Sequence, residues 1–238
     1  MQDLTAAGVK TALAAVASAE RAANLGWFFK TGPGQYGEGD VFIGVSVPQS
    51  RAVAKRFAEL PEGELYELAH SPVHEHRHCA MIILVGQYRK AKIQATRDEL
   101  FDFYTRLLDE GCVNNWDLVD VSAPYLGSWL IDQAHAARLR DLALHPDLWH
   151  RRAAIIFTFA FIRAGKLKPT WQIAELLLGD KHDLIHKAAG WMLREAGSRD
   201  LEGLREFLGK YSKTMPRTML RYAIEKLDPA ERKEWMAR

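Results

Sequence analysis

Three short segments each set an aromatic ring and a charged group on what would be one face of a helix. In Asn114-Asn-Trp116-Asp117-Leu-Val-Asp120 the indole of Trp116 and the carboxylate of Asp120 are four residues apart, the spacing of helical neighbours. In Asp147-Leu-Trp149-His-Arg151-Arg152 the pair is Trp149 and Arg152, three apart, and in His186-Lys187-Ala-Ala-Gly190-Trp191-Met-Leu-Arg194 a stripe holds Lys187, Trp191 and Arg194. A fixed carboxylate can stabilise a developing cation, an aromatic face attracts one, and Arg and Lys hold anions. The residues alone also allow a plainer reading. Trp on a helix commonly packs in the core with an Arg lying over it, Asp120 could cap a helix begun by Ser122-Ala-Pro124, and Pro124 is expected to break the helix soon after Asp120.

Two further motif matches carry little. Gly32-Pro-Gly34-Gln-Tyr-Gly37 satisfies G-x-G-x-x-G. That motif needs a strand before it and a helix after it to present N–H groups to a pyrophosphate. Here a helical pattern precedes it, and Glu38-Gly39-Asp40 follow with charges that repel phosphate, so a surface loop is expected. His74-Glu75-His76-Arg77-His78 satisfies H-E-x-x-H, and on a helix His74 and His78 would share a face. No third histidine stands at the spacing a catalytic zinc site requires, so solvated or hydrogen-bonded histidines are expected and no metal ion.

The elements that position these residues read as helices throughout. Thr96-x-x-Glu99 and Asp228-Pro229-x-Glu231 have the form of capping boxes, and Ser71-Pro72 and Thr214-x-Pro216 resemble helix starts. Gly111, Gly165 and Gly197 fall where helices should stop. About a dozen helices of roughly 10–20 residues result, joined by short links that favour antiparallel neighbours. Pairs recur at about the 40-residue HEAT spacing without a clean repeat. The fold class expected is all-α, an α-solenoid or superhelix of HEAT-like helical pairs in one domain over residues 1–238. The apolar run Ala153–Ile162 is read as a buried helix. Thr31–Pro48, with five glycines, is read as a loop with a short extended piece at Val41-Phe-Ile-Gly-Val-Ser-Val leading into a helix after Pro48.

Composition narrows the class. Hydrophobic residues are 48% and charged residues 26%, values of a globular chain. The longest apolar run is too short to span a bilayer. The stretch Lys10–Ala19 faintly resembles a signal peptide, but Asp3 before it and Glu20-Arg21 after it favour an Ala-rich helix. Two cysteines, Cys79 and Cys112, make no secreted disulfide framework, which points to a reducing cytoplasm. Residues 1–120 hold 12 Lys and Arg against 16 Asp and Glu; residues 121–238 hold 20 against 14. A basic C-terminal half suits an anionic partner.

Beyond these residue-level readings, the chain resembles the AlkD-type DNA alkylation-repair family over almost its full length. The resemblance rests on Ile43-Gly-Val45 with Pro48 and Arg51, on Ser71-Pro-Val-His-Glu75 with Arg77, and on Trp116-Asp-Leu-Val-Asp120. It continues in Trp149-His-Arg151-Arg152-Ala-Ala-Ile and Ile185-His-Lys-Ala-Ala-Gly-Trp-Met-Leu-Arg194-Glu195. The last three agree in order, spacing and chemical type. The resemblance implies a HEAT-like helical solenoid with duplex DNA on a basic concave surface. It implies that Asp120 is the catalytic carboxylate, with Trp116 and Trp191 flanking the deoxyribose of the lesion. Arg152 and Arg194 would hold adjacent phosphates, with Lys187 and Arg151 as further DNA-binding candidates. Where relatives can place a tyrosine against DNA, this chain has Trp27 or Phe28.

Alkylation at purine N3 or N7 leaves the base cationic and ready to depart, and the transition state moves positive charge onto the sugar. A fixed carboxylate suffices to stabilise that charge and orient a water, and no general acid or cofactor is expected. The activity implied is a glycosylase of the 3-methyladenine/7-methylguanine type acting in base excision repair. It would read the backbone rather than base edges, as a cytoplasmic, nucleoid-associated monomer. The rival in the same superfamily is a non-catalytic helical scaffold for bent or branched DNA; a protein-interaction solenoid and a metallopeptidase stand further off.

Overall fold

The structure, a computed structural model, describes residues 3–131 and 136–238. Among these it is all-helical and α-solenoid-like, with fourteen α-helices and no strand. The chain divides into two compact units, Met1–Ser122 and Ala123–Arg238.

The first unit contains α1 (Ala6–Ala14), α2 (Ala19–Phe28), α3 (Val47–Arg56), α4 (Glu62–Ala69), α5 (His74–Lys90), α6 (Gln94–Asp109) and the beginning of α7 (Trp116–Leu126). The Ala-rich stretch is indeed helix: Thr5 caps α1, and Ala6, Val9 and Leu13 are buried. Helix α5 is the axis of the unit, touching α1, α3, α4 and α6. Its Cys79, Ala80, Met81, Ile83, Leu84 and Tyr88 are all buried, each large apolar side chain contributing about 1.5–3 kcal/mol of transfer free energy.

The second unit runs from a 3-10 turn (Gly127–Ile131) through α8 (Ala136–Ala143), α9 (Leu148–Arg163), α10 (Lys168–Leu176) and α11 (Asp183–Gly197) to α12 (Leu201–Tyr211), α13 (Arg217–Ala223) and α14 (Pro229–Ala237). Here α9 is the buried axis, touching the 3-10 turn, α8, α10 and α11, while α11 packs on α12 and α13. The apolar run Ala153–Ile162 forms most of α9, as its composition and flanks predict. Asp147 caps α9 by accepting from the amides of Trp149 and His150.

Several helix ends differ from the sequence reading. Helix α6 begins at Gln94, so Thr96 and Glu99 lie inside it rather than forming a capping box. Ser71 bonds the Val73 amide while α5 starts at His74, and Pro216 itself caps α13. Asp228 caps α14 as expected, but Glu231 reaches Arg205 instead of back to the cap. Gly111 and Gly165 adopt the left-handed conformation that ends a helix, with φ of 74° and 73°. Gly197 does not; it closes α11 against Leu204, where a Cβ would sit 2.4 Å from Leu204 Cδ2. The expected extended piece reduces to one parallel bridge, Val41 with Val73. Helix α3 starts one residue before Pro48, with the Gln49 side chain accepting from the Ser46 amide.

Candidate functional site

Helix α7 runs unbroken from Trp116 to Leu126 with Pro124 inside it, so the expectation that Pro124 stops the helix soon after Asp120 is corrected. Asp120 is therefore a mid-helix residue and not an N-cap. Pro124 lacks the amide that would bond the Asp120 carbonyl, and the surrounding packing carries the helix past that loss. Leu118, Val119 and Ser122 are buried, and the Ser122 hydroxyl donates back to the Leu118 carbonyl at 2.6 Å. Trp116 and Asp120 share the other face and both side chains are half-buried. Tyr104, whose hydroxyl meets that of Ser122 at 3.2 Å, is fully buried; burial pushes its phenol well above the usual range, and the charge of Asp120 adds to the same direction.

A network invisible in the sequence fixes the first turn of α7. Trp116 stacks on Phe29 with centroids 5.2 Å apart and planes within 10°, and the edge of Phe28 meets it at 6.0 Å. Phe29 and Phe42 in turn pack on the ring of His74 at 4.9 and 4.6 Å. His74 is 2% exposed and touches two carboxylates, Nδ1 to Asp40 Oδ2 at 3.1 Å and Nε2 to Asp117 Oδ2 at 2.8 Å. A carboxylate only accepts, so both ring nitrogens donate and His74 is an imidazolium. Burial opposes the charge, but Asp117 and then Asp40 outweigh it and hold the group at about 9. Arg77 binds the other oxygen of Asp40, the Ser71 carbonyl at 2.9 Å and Asn114 Oδ1 at 3.2 Å. Asn115 donates to Asp40 and accepts from the Trp116 amide at 2.8 Å. Two cations and two anions balance in this largely buried cluster, which is how such charges are tolerated.

The H-E-x-x-H run is thus buried and hydrogen-bonded rather than a solvated surface. Glu75 turns to the backbone, where it accepts from the amides of Ile43, Gly44 and Val45 at 2.7–3.2 Å. Gly44 is obligatory there: its φ is +79° and a Cβ would lie 2.0 Å from the Ser18 carbonyl oxygen. His76 and His78 stay neutral, burial pushing the first down to about 4 and lowering the second. His76 meets the nearby Ser71 hydroxyl at 2.8 Å, whereas the partners of His74 and Glu75 are remote in sequence and no local spacing announces them.

In the second unit, α11 carries Lys187, Trp191 and Arg194 as one stripe. Trp191 is half-buried with its ring 6.0 Å from Phe159. Lys187 pairs with Asp183 at 2.6 Å, and Arg194 with Glu225 and, at 3.5 Å, Glu195. On α9, Trp149 is a core residue at 8% exposure. Arg152 is 4% exposed and donates through Nη1 to the Leu184 carbonyl at 2.5 Å, which ties α9 to α11. Arg151 reaches Asp180 at 2.7 Å and the carbonyls of His145 and Pro146. Every one of these cations has an intramolecular partner, a fact their spacing does not reveal.

The class to which this all-helical, α-solenoid-like chain belongs is given by comparison with known proteins. The profile of the DNA alkylation repair enzyme family matches residues 9–227, and the chain belongs to that family. A solved structure described as a predicted DNA alkylation repair enzyme from Enterococcus faecalis is similar in fold, with a TM-score of 0.69 and 17% identity over 90% of this chain and 97% of that one. No curated protein matches. Among the described residues no helix is long and apolar enough to cross a membrane.

Proposed function

We propose that this DNA alkylation repair enzyme is a glycosylase that removes N3- and N7-alkylated, cationic purines from duplex DNA. Asp120 stabilises the positive charge that builds on the deoxyribose and orients the attacking water, while Trp116 presents an aromatic face to the same sugar. Trp191 is its counterpart in the second unit. Arg194 and Lys187 take phosphates in exchange for their present carboxylate partners, and Arg151 and Arg152 act from the fixed positions their internal bonds give them. Recognition is through the backbone, as a monomer with no cofactor in the reaction. The work is that of base excision repair, in a cytoplasmic, nucleoid-associated setting.

The observation that carries this reading is the exposure pattern of α7. Its apolar face and Ser122 are buried, yet Trp116 and Asp120 keep part of their surface in solvent. The bracing of the preceding turn by Asp117, His74 and Asp40 holds both groups in place before any DNA arrives, which is how electrostatic stabilisation becomes effective.

The test is base release. Methylated duplex DNA incubated with the protein should yield free 3-methyladenine or 7-methylguanine, with none from undamaged duplex. A scaffold for bent or branched DNA would instead bind such substrates and release nothing, and that outcome would replace the present reading.

A further inference from the structure

Away from α7, two helices of the first unit end at the same point. Helix α4 stops at Ala69 with His70 as its cap, and α6 stops at Asp109 with Glu110 as its cap. Gly111 then turns left-handed, and the Cys112 amide closes the end of α6 on the Leu107 carbonyl at 2.9 Å. The turn sets Cys112 beside both caps. One ligand atom from each of His70, Glu110 and Cys112 lies within 4.8 Å of the others.

The hydrogen bonds settle which atoms are presented. His70 Nδ1 lies 2.8 Å from the Tyr66 carbonyl oxygen, which can only accept, so Nδ1 carries a proton. Nε2 is left facing Glu110 Oε2 at 3.1 Å. On a neutral ring that nitrogen and that oxygen present lone pairs to each other, and a proton or a metal ion must lie between them. An imidazole whose Nδ1–H is anchored on a backbone carbonyl is oriented as a metal ligand is. The carbonyl ends of two helices favour a cation at this point. The sulfur of Cys112 makes the set N, O and S, the donors Zn²⁺ takes in three-ligand sites with an open fourth position.

A second cluster, His145, Asp147 and His150, has comparable spacing. Its atoms are already committed: Asp147 Oδ1 accepts from the amides of Trp149 and His150 and meets His150 Nδ1 at 2.8 Å, while His145 Nδ1 accepts from the Asp147 amide. That cluster is a helix cap.

We propose that His70, Glu110 and Cys112 form a binding site for a thiophilic divalent cation such as Zn²⁺. Tetrahedral Zn²⁺ brings its ligand atoms to about 3.5 Å from one another, a closure that the exposed side chains of His70 and Glu110 can make by small rotations. The metal displaces the Cys112 thiol proton on binding, so affinity rises with pH. The site is independent of the proposed DNA chemistry, and its failure would leave that reading untouched.

The experiment is titration of the purified full chain with Co²⁺ as a spectroscopic stand-in, then with Zn²⁺. One equivalent of Co²⁺ should bind with a near-ultraviolet thiolate-to-cobalt charge-transfer band, and Zn²⁺ should bleach it. At a hundredfold excess over Kd, Zn²⁺ should raise Tm by about 5 °C. Cys112→Ser should abolish the band, while His70→Asn and Glu110→Gln, both at exposed positions, should weaken binding about tenfold or more. Absence of any charge-transfer band, or a band that survives Cys112→Ser and disappears in Cys79→Ser, overturns the proposal. So does Co²⁺ binding that is lost in His145→Ala and unaffected in His70→Asn, and the His70–Glu110 contact is then a proton-bridged ion pair.

Discussion

Replacing His74 with glutamine removes the cation that bridges Asp40 and Asp117 while keeping a hydrogen-bonding side chain of similar reach. In the wild type the imidazolium sits at about 9 against an ordinary 6.5. A group raised on folding adds stability that is complete below about pH 6.5 and is lost as pH climbs through 9. That rise corresponds to roughly 3 kcal/mol of stability, most of it gone by pH 9. In His74→Gln the two carboxylates have only Arg77 to balance them, so the variant should unfold about 3 kcal/mol more easily at pH 6. The two proteins should then converge as pH rises to 9. Buried Cys79 and Cys112, pushed up to about 12 and 11, also favour the unfolded state above pH 9, but equally in both proteins. Urea unfolding followed by tryptophan fluorescence at pH 6, 7.5 and 9 measures the double difference. A constant gap between wild type and variant across that range would refute the bridged imidazolium.

Four more expectations come from individual residues. Gly44→Ala meets both a positive φ and the Ser18 carbonyl, and should destabilise the first unit by about 3 kcal/mol or more, read as a fall in the urea midpoint at unchanged slope. Glu75→Gln loses an ionised acceptor shared by three amides and should cost about 2 kcal/mol in the same measurement, with Ile43–Val45 exchanging amide hydrogens faster. Arg152→Met removes the buried tie from α9 to the Leu184 carbonyl and should cost about 1–3 kcal/mol in the same measurement. Arg194→Ala should change stability by under about 1 kcal/mol, yet lower the salt slope of DNA binding by about 1. Equal salt slopes for Arg194→Ala and wild type would remove Arg194 from the phosphate contacts.

What the sequence disclosed followed the range of each interaction. Helix α9 was legible because its cap, its apolar run and its terminal glycine are all local. The pairing of Trp116 with Asp120 needed only the helical period. Pro124 misled because a lone proline reads as a stop, whereas buried neighbours on both sides, Leu118 and Val119 before it and Leu126 after it, carry α7 through. The histidine run, expected to be solvated or hydrogen-bonded, is hydrogen-bonded, but the partners of His74 lie beyond local reach. Nothing within ten residues of His74 says that Asp40 and Asp117 will close on it from 34 and 43 positions away. The two stretches behind the family resemblance near the N-terminus, Ile43-Gly-Val45 and the segment around Glu75, prove to be one clamp, with a carboxylate holding three amides. Arg152 shows the limit of composition: its spacing from Trp149 does not tell that it is buried with Nη1 on the Leu184 carbonyl.

The central claim concerns a single carboxylate, and one experiment addresses it alone. Asp120→Asn keeps the size and one acceptor oxygen and removes the charge. Single-turnover excision of 7-methylguanine from a defined duplex should fall about 10²- to 10³-fold, with affinity for the same duplex within about twofold of wild type. Excision at the wild-type rate by Asp120→Asn would contradict the account.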